Sequence, residues 1–169
     1  MRIALLLALT ACGLSWAGTE SQTPADPFEQ MKSLAGEWQA DLPGYGPILD
    51  SIRLVSKGTA VEETLGIPSD NEVSIYTRDG KRLLLTHFCA LTPDGHVARL
   101  ETGALQGSPG RLEFTLVSVS NLHDKAAPHM RRVIFTFVDR NHFSEKWTKT
   151  DKGVDTVFHL SFSRTPPSP

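Results

Sequence analysis

The sequence predicts an all-β fold: an antiparallel up-and-down barrel of about ten strands behind a short N-terminal helix. Three observations lead there. From residue 37 onward apolar and polar residues alternate, the period of two that sends successive strand side chains to opposite faces. Turn chemistry recurs at Lys57-Gly58, Asp79-Gly80, Pro93-Asp94-Gly95, Ser108-Pro109-Gly110, Arg140-Asn141 and Asp151-Lys152-Gly153, close enough together to link strands directly. Such short links leave no room for the helical crossovers of a parallel sheet, and closure removes the two long edges of an open meander.

Taken in order, residues 1–17 form an export leader. Met1-Arg2 is the positive start, residues 3–9 are apolar but too short to span a bilayer, and Ser15-Trp16-Ala17 offers a small-residue cleavage site. Cleavage after Ala17 is the favoured reading. Leu9-Thr10-Ala11-Cys12 also reads as a lipobox, which would anchor the chain through a lipid on Cys12. The expected location is therefore periplasmic or secreted, with an outer-membrane lipoprotein as the alternative. No later segment approaches a membrane-spanning length.

Residues 18–26 are a polar, flexible linker. A helix then starts at Asp26-Pro27-Phe28-Glu29, where Asp26 caps, Pro27 fits the first turn and Glu29 stands at the capping-box position. Gly36 ends it. Strands are expected at 37–42, 49–56, 59–67, 72–78, 81–91, 96–103, 111–120, 130–139, 142–150 and 154–164. The barrel domain spans 27–165, and 166–169 is a disordered tail.

Seventeen basic and nineteen acidic residues give a nearly balanced chain, with no basic run and no aromatics interleaved among Lys or Arg. Nothing favours nucleic acid as a partner. Removal of Cys12 with the leader leaves Cys89 alone, so no internal disulfide forms. A lone mid-strand cysteine is more often a small buried hydrophobe than a nucleophile.

A short helix, then Gly36-x-Trp38 on the first strand and Arg164 at the end of the last, is similar to the calycin (lipocalin-like) signature. That resemblance implies a structural role: the Trp closes the base and the Arg packs over its ring. Tyr76-Thr77-Arg78-Asp79-Gly80, Leu85-Thr86-His87-Phe88-Cys89 and Glu145-Lys146-Trp147 resemble exported bacterial lipocalin-like domains of uncharacterised function. Fold alone fixes neither ligand nor reaction.

Register gives candidate site residues. A two-residue Asp79-Gly80 turn pairs Arg78 with Lys81 and sets His87 opposite Glu72, Leu85 opposite Ser74 and Leu83 opposite Tyr76. One face then carries Glu72, Ser74, Tyr76, Leu83, Leu85, His87 and Cys89; the other carries Arg82, Phe88, Arg99 and Glu101. The charged face belongs in water, which puts Tyr76, His87 and Cys89 inside, either as a site or as a satisfied core. Pairing Asp139 with His142 sets Trp147 opposite Ile134 and Glu145 opposite Thr136, with Arg132 on the same face. With Trp147 inward, Glu145 and Arg132 form a buried ion pair or a polar anchor; with it outward, Phe135 and Phe137 fill the core. The ligand-binding candidates are thus Tyr76, His87, Cys89, Arg132, Glu145 and Trp147.

Other constellations carry less. His123-Asp124 and His129 share the irregular segment 121–129 and read as a solvated loop, so no metal is expected. His159 on the last strand resembles the iron ligand of the haem-binding nitrobindin barrels, but Phe158, Leu160 and Phe162 make the better inward face and turn it outward. No cofactor is therefore expected, with haem the minor alternative. No catalytic motif is visible, and Glu62 and Glu63, adjacent on a strand, point to opposite faces. The expected role is binding a small hydrophobic or amphipathic molecule inside the barrel. The alternative is a structural or interaction barrel with a filled core.

Overall fold

The computed structural model describes residues 26–67, 70–103 and 110–166. Helix α1 (Pro27–Ser33) precedes ten strands: β1 (Gly36–Leu42), β2 (Gly46–Val55), β3 (Ala60–Ile67), β4 (Asp70–Asp79), β5 (Arg82–Cys89), β6 (His96–Thr102), β7 (Arg111–Ser120), β8 (His129–Asp139), β9 (His142–Asp151) and β10 (Val154–Arg164). Each strand pairs antiparallel with its sequence neighbour, and β1 meets β10 to close the barrel. The leader and most of the linker and tail lie outside the described residues.

Helix α1 plugs one end. Asp26 accepts from the amides of Phe28 at 2.9 Å and Glu29 at 3.3 Å, satisfying donors that a helix start leaves free. Glu29 pairs with Lys32 at 3.1 Å instead of closing a capping box. Phe28 and Met31 turn into the barrel base. There the Trp38 indole donates to the Leu34 carbonyl at 2.7 Å, and the Arg164 guanidinium lies 4.0 Å over the Trp38 ring. Arg164 also donates to the carbonyls of Ala35 at 2.8 Å, Arg140 at 3.0 Å and Ser33 at 3.3 Å. Gly36 permits this approach. Its φ is +143°, and a Cβ there would stand 2.2 Å from an Arg164 nitrogen.

Above the plug the lower half of the barrel is filled. Phe143 meets Trp38 edge-on at 4.7 Å and stacks on Phe162 at 4.8 Å, and Tyr76 packs edge-on against Phe114 and Phe135. Staggered rings of this kind add specificity to the area they bury.

Two registers differ from the sequence expectation. The first tight turn is Gly80-Lys81, so Asp79 pairs with Arg82, Tyr76 with Leu85 and Ser74 with His87. Gly80 takes the positive φ, at +56°, and an Asp79–Arg82 ion pair at 2.6 Å clasps the turn. Because the slip is two residues in pairing, the faces survive: Tyr76, Leu83, Leu85, His87 and Cys89 are buried while Arg82 and Phe88 are exposed. The second turn is as expected, with Asp139 opposite His142, but a bulge at Val138 then shifts the ladder by one. Trp147 therefore faces Val133, and Glu145 faces Phe135. One extra residue on β8 moves Arg132 to the outer surface, where it pairs with Glu113. The Arg132–Glu145 ion pair does not form. Trp147, Glu145 and Phe135 all point inward together, a combination that uninterrupted alternation forbids.

Candidate functional site

The end of the barrel opposite α1 holds a cavity of about 220 Å³. Leu42, Ile48, Leu65, Met130, Phe158 and Leu160 supply apolar wall, Trp147 is part of the lining, and Glu72 and Asp70 bring carboxylates to one side. Convergent strands place these groups. Trp147 on β9 lies across from Phe158 on β10, and Leu65 on β3 lies across from Glu72 on β4.

Trp147 ties the cavity to the polar interior. Its ring lies 4.7 Å from His87 at a 35° tilt, and its Nε1 donates to Glu145 Oε2 at 2.7 Å. His87 Nδ1 meets Ser74 Oγ at 3.0 Å. Its Nε2 lies 3.3 Å from Glu72 Oε2 but off the axis of a hydrogen bond, and finds no aligned partner. Glu72 Oε1 accepts from the Cys89 thiol at 3.1 Å and the Ala90 amide at 3.3 Å. Burial opposes ionisation of Glu72, yet His87, Cys89 and Ala90 outweigh it and hold the carboxyl below its usual range. Burial, reinforced by the Glu72 charge, pushes the Cys89 thiol far up. Cys89 is therefore no nucleophile at neutral pH.

A second cluster joins strands β2, β3 and β9. Asp50, Glu63 and Glu145 place carboxylate oxygens within 4.8 Å of one another, each residue at 1% exposure or less. Tyr76 donates to Glu63 at 2.6 Å, whereas both Asp50 oxygens and one each on Glu63 and Glu145 find no donor. Burial raises Asp50 well above the usual carboxylate range, helped by the charges of Glu63 and Glu37. Burial, helped by the charges of Glu63 and Asp50, also raises Glu145. A proton on Glu145 turns the Glu63–Glu145 contact from two acceptors into a donor and an acceptor. Burial and these carboxylates likewise raise Tyr76.

The structure thus brings Trp147 to the cavity and His87 and Cys89 behind its wall, with Glu145 and Tyr76 in the carboxyl cluster and Arg132 outside. Sequence reasoning passed over Asp50, Glu63, Glu72 and His96 as site residues. Their signal was an acidic or basic residue at an inward position of an alternating strand, as in Ile48-x-Asp50-x-Ile52 and Val61-x-Glu63-x-Leu65. Glu62 and Glu63 do point to opposite faces, but Glu63 finds its carboxyl neighbours on other strands. His123 lies 3.3 Å from Asp94, and His129 Nδ1 lies 2.8 Å from the Ala127 carbonyl oxygen. Among the described residues the groupings with metal-ligand proximity are the two interior ones. His159 is exposed on β10, which removes the residue that carried the haem resemblance.

No family model and no curated protein matches the chain. Among solved structures, it is similar to a protein of unknown function from the DUF3598 family of Nostoc punctiforme, with TM-score 0.53 and 16% identity. The match covers 80% of this chain and 49% of that one, so the chain spans about half of its neighbour. This likeness shows the barrel fold.

Proposed function

We propose that this is an exported lipocalin-like barrel whose open end binds a small molecule with an apolar body and a hydrogen-bond-donating or cationic head. One observation carries the reading: a mostly apolar cavity of about 220 Å³ with Glu72 and Asp70 on one side. Apolar walls with few convergent polar groups are the usual makeup of a small-molecule site. Two acidic groups favour an amine or hydroxyl head and disfavour a carboxylate. The filled lower half limits ligand length, and favours a structural barrel if the cup proves empty.

Native mass spectrometry of protein recovered from its own export pathway tests the reading, followed by titration with short alkyl amines, alcohols and carboxylates. Retention of an amine or alcohol, lost in Ala90→Trp at the exposed rim, supports it. A barrel that takes up none of the panel refutes it. The intact mass of the same sample distinguishes cleavage after Ala17 from lipidation at Cys12.

A further inference from the structure

Glu72, His87 and Cys89 come from β4 and β5 and converge on one interior point, with one ligating atom of each within 4.8 Å of the other two. A thiol, an imidazole and a carboxylate are three different donors, a mixture suited to borderline divalent metals rather than to calcium or magnesium. A tetrahedral metal with bonds of about 2.0–2.3 Å spaces its ligands by roughly 3.5 Å. The Sγ–Oε1 and Nε2–Oε2 separations are already 3.1 and 3.3 Å.

Two further observations point to a ligand. His87 Nε2 is buried without an aligned partner, while Nδ1 is engaged by Ser74, the outer contact that orients metal-binding imidazoles. His96, opposite Cys89 on β6, is only 3% exposed, and neither of its ring nitrogens has a hydrogen-bond partner. Glu72 also lines the open cavity, so an ion has a way in.

We propose that Glu72, His87, Cys89 and His96 form a four-coordinate site for a zinc-class divalent metal ion. His96 stands outside the three whose donor atoms already lie within 4.8 Å of one another, so closure requires its ring to turn toward them from its place opposite Cys89. The site shares Glu72 with the cavity, whereas His87, Cys89 and His96 are not part of the cavity lining, so variants at those three test the metal site apart from the cavity ligand.

Cobalt(II) titration of the folded, full-length mature protein under reducing conditions tests the proposal. Expected are one equivalent of metal per chain, a thiolate-to-cobalt charge-transfer band, the intense visible bands of four-coordination, and displacement by zinc. Cys89→Ala, a small change that circular dichroism can verify as folded, abolishes the charge-transfer band. Ser74→Ala weakens binding about tenfold by freeing His87. His96→Gln weakens it at least tenfold, and unchanged affinity there would overturn the four-coordinate site. Absence of the band in the wild type, or its survival in Cys89→Ala, overturns the proposal outright.

Discussion

Replacing Asp50 with Asn removes one ionisable group from the buried carboxyl cluster while keeping its shape. The cluster oxygens stand within 4.8 Å of one another. At that separation and an effective dielectric constant of about 20, each pair of full charges repels by roughly 3.5 kcal/mol. Three such pairs reach roughly 10 kcal/mol, the size of a whole domain's stability. The folded protein therefore keeps protons on this cluster at pH values where the unfolded chain has lost them. Asp50 and Glu145 are both raised, so their contribution is fully present below the unfolded carboxyl range near pH 4 and is lost as pH climbs through the folded values. Each retained proton gives a slope of about −1.4 kcal/mol per pH unit. His96 runs the other way below its ordinary value of 6.5, but it is common to both proteins and cancels in their difference. Urea unfolding at steps from about pH 5 to 8 should show Asp50→Asn gaining on the wild type by about 1 kcal/mol per pH unit until the wild-type groups ionise. A difference curve that stays flat across this range would refute a proton-holding cluster.

Three other outcomes are expected. Arg164→Ala removes three carbonyl contacts and the cover over Trp38, and should cost about 2–3 kcal/mol in urea unfolding; Gly36→Ala should cost about as much. The double variant should be clearly less destabilised than the two losses added, since the new methyl clashes with the missing guanidinium, and strict additivity would sever that link. Cys89 should resist maleimide in the native protein at pH 7 to 8 and react fully once unfolded, given its burial and raised pKa; rapid native labelling would contradict this. Deleting Val138, which is 66% exposed, removes the bulge while keeping Phe137 opposite Phe143. It should lower stability by only about 1 kcal/mol and leave Trp147 fluorescence native-like; an unfolded product would show that the bulge itself is required.

The strand count and closure were legible because Gly, Asn and Asp at the turns and the period-two pattern are local signals. The inward face of β4 and β5 was legible for a different reason: a slip of two residues preserves the faces, so even a misplaced turn put His87 and Cys89 inside. The bulge at Val138 left no mark in composition, and it alone reversed the expectation for Arg132. The carboxyl cluster was hidden for a third reason. Asp50 and Glu63 lie diagonally across the paired strands β2 and β3, but Glu145 on β9 joins them only when the barrel closes, so each looks like an isolated acid in its own strand.

Among the described residues β1 and β10 pair at just two positions, Trp38 with Arg164 and Gln39 with Ser163. This junction joins the two ends of the domain's sequence, so forming it requires closing nearly the whole chain into a loop, the costliest contact in conformational entropy and a slow one to reach. Two rungs return little for that cost, and the Arg164 guanidinium over Trp38 acts as the fastener. The barrel is thus expected to assemble as a nine-hairpin sheet that curls and locks last. A defect in the lock should appear mainly as faster unfolding, with refolding rate little changed.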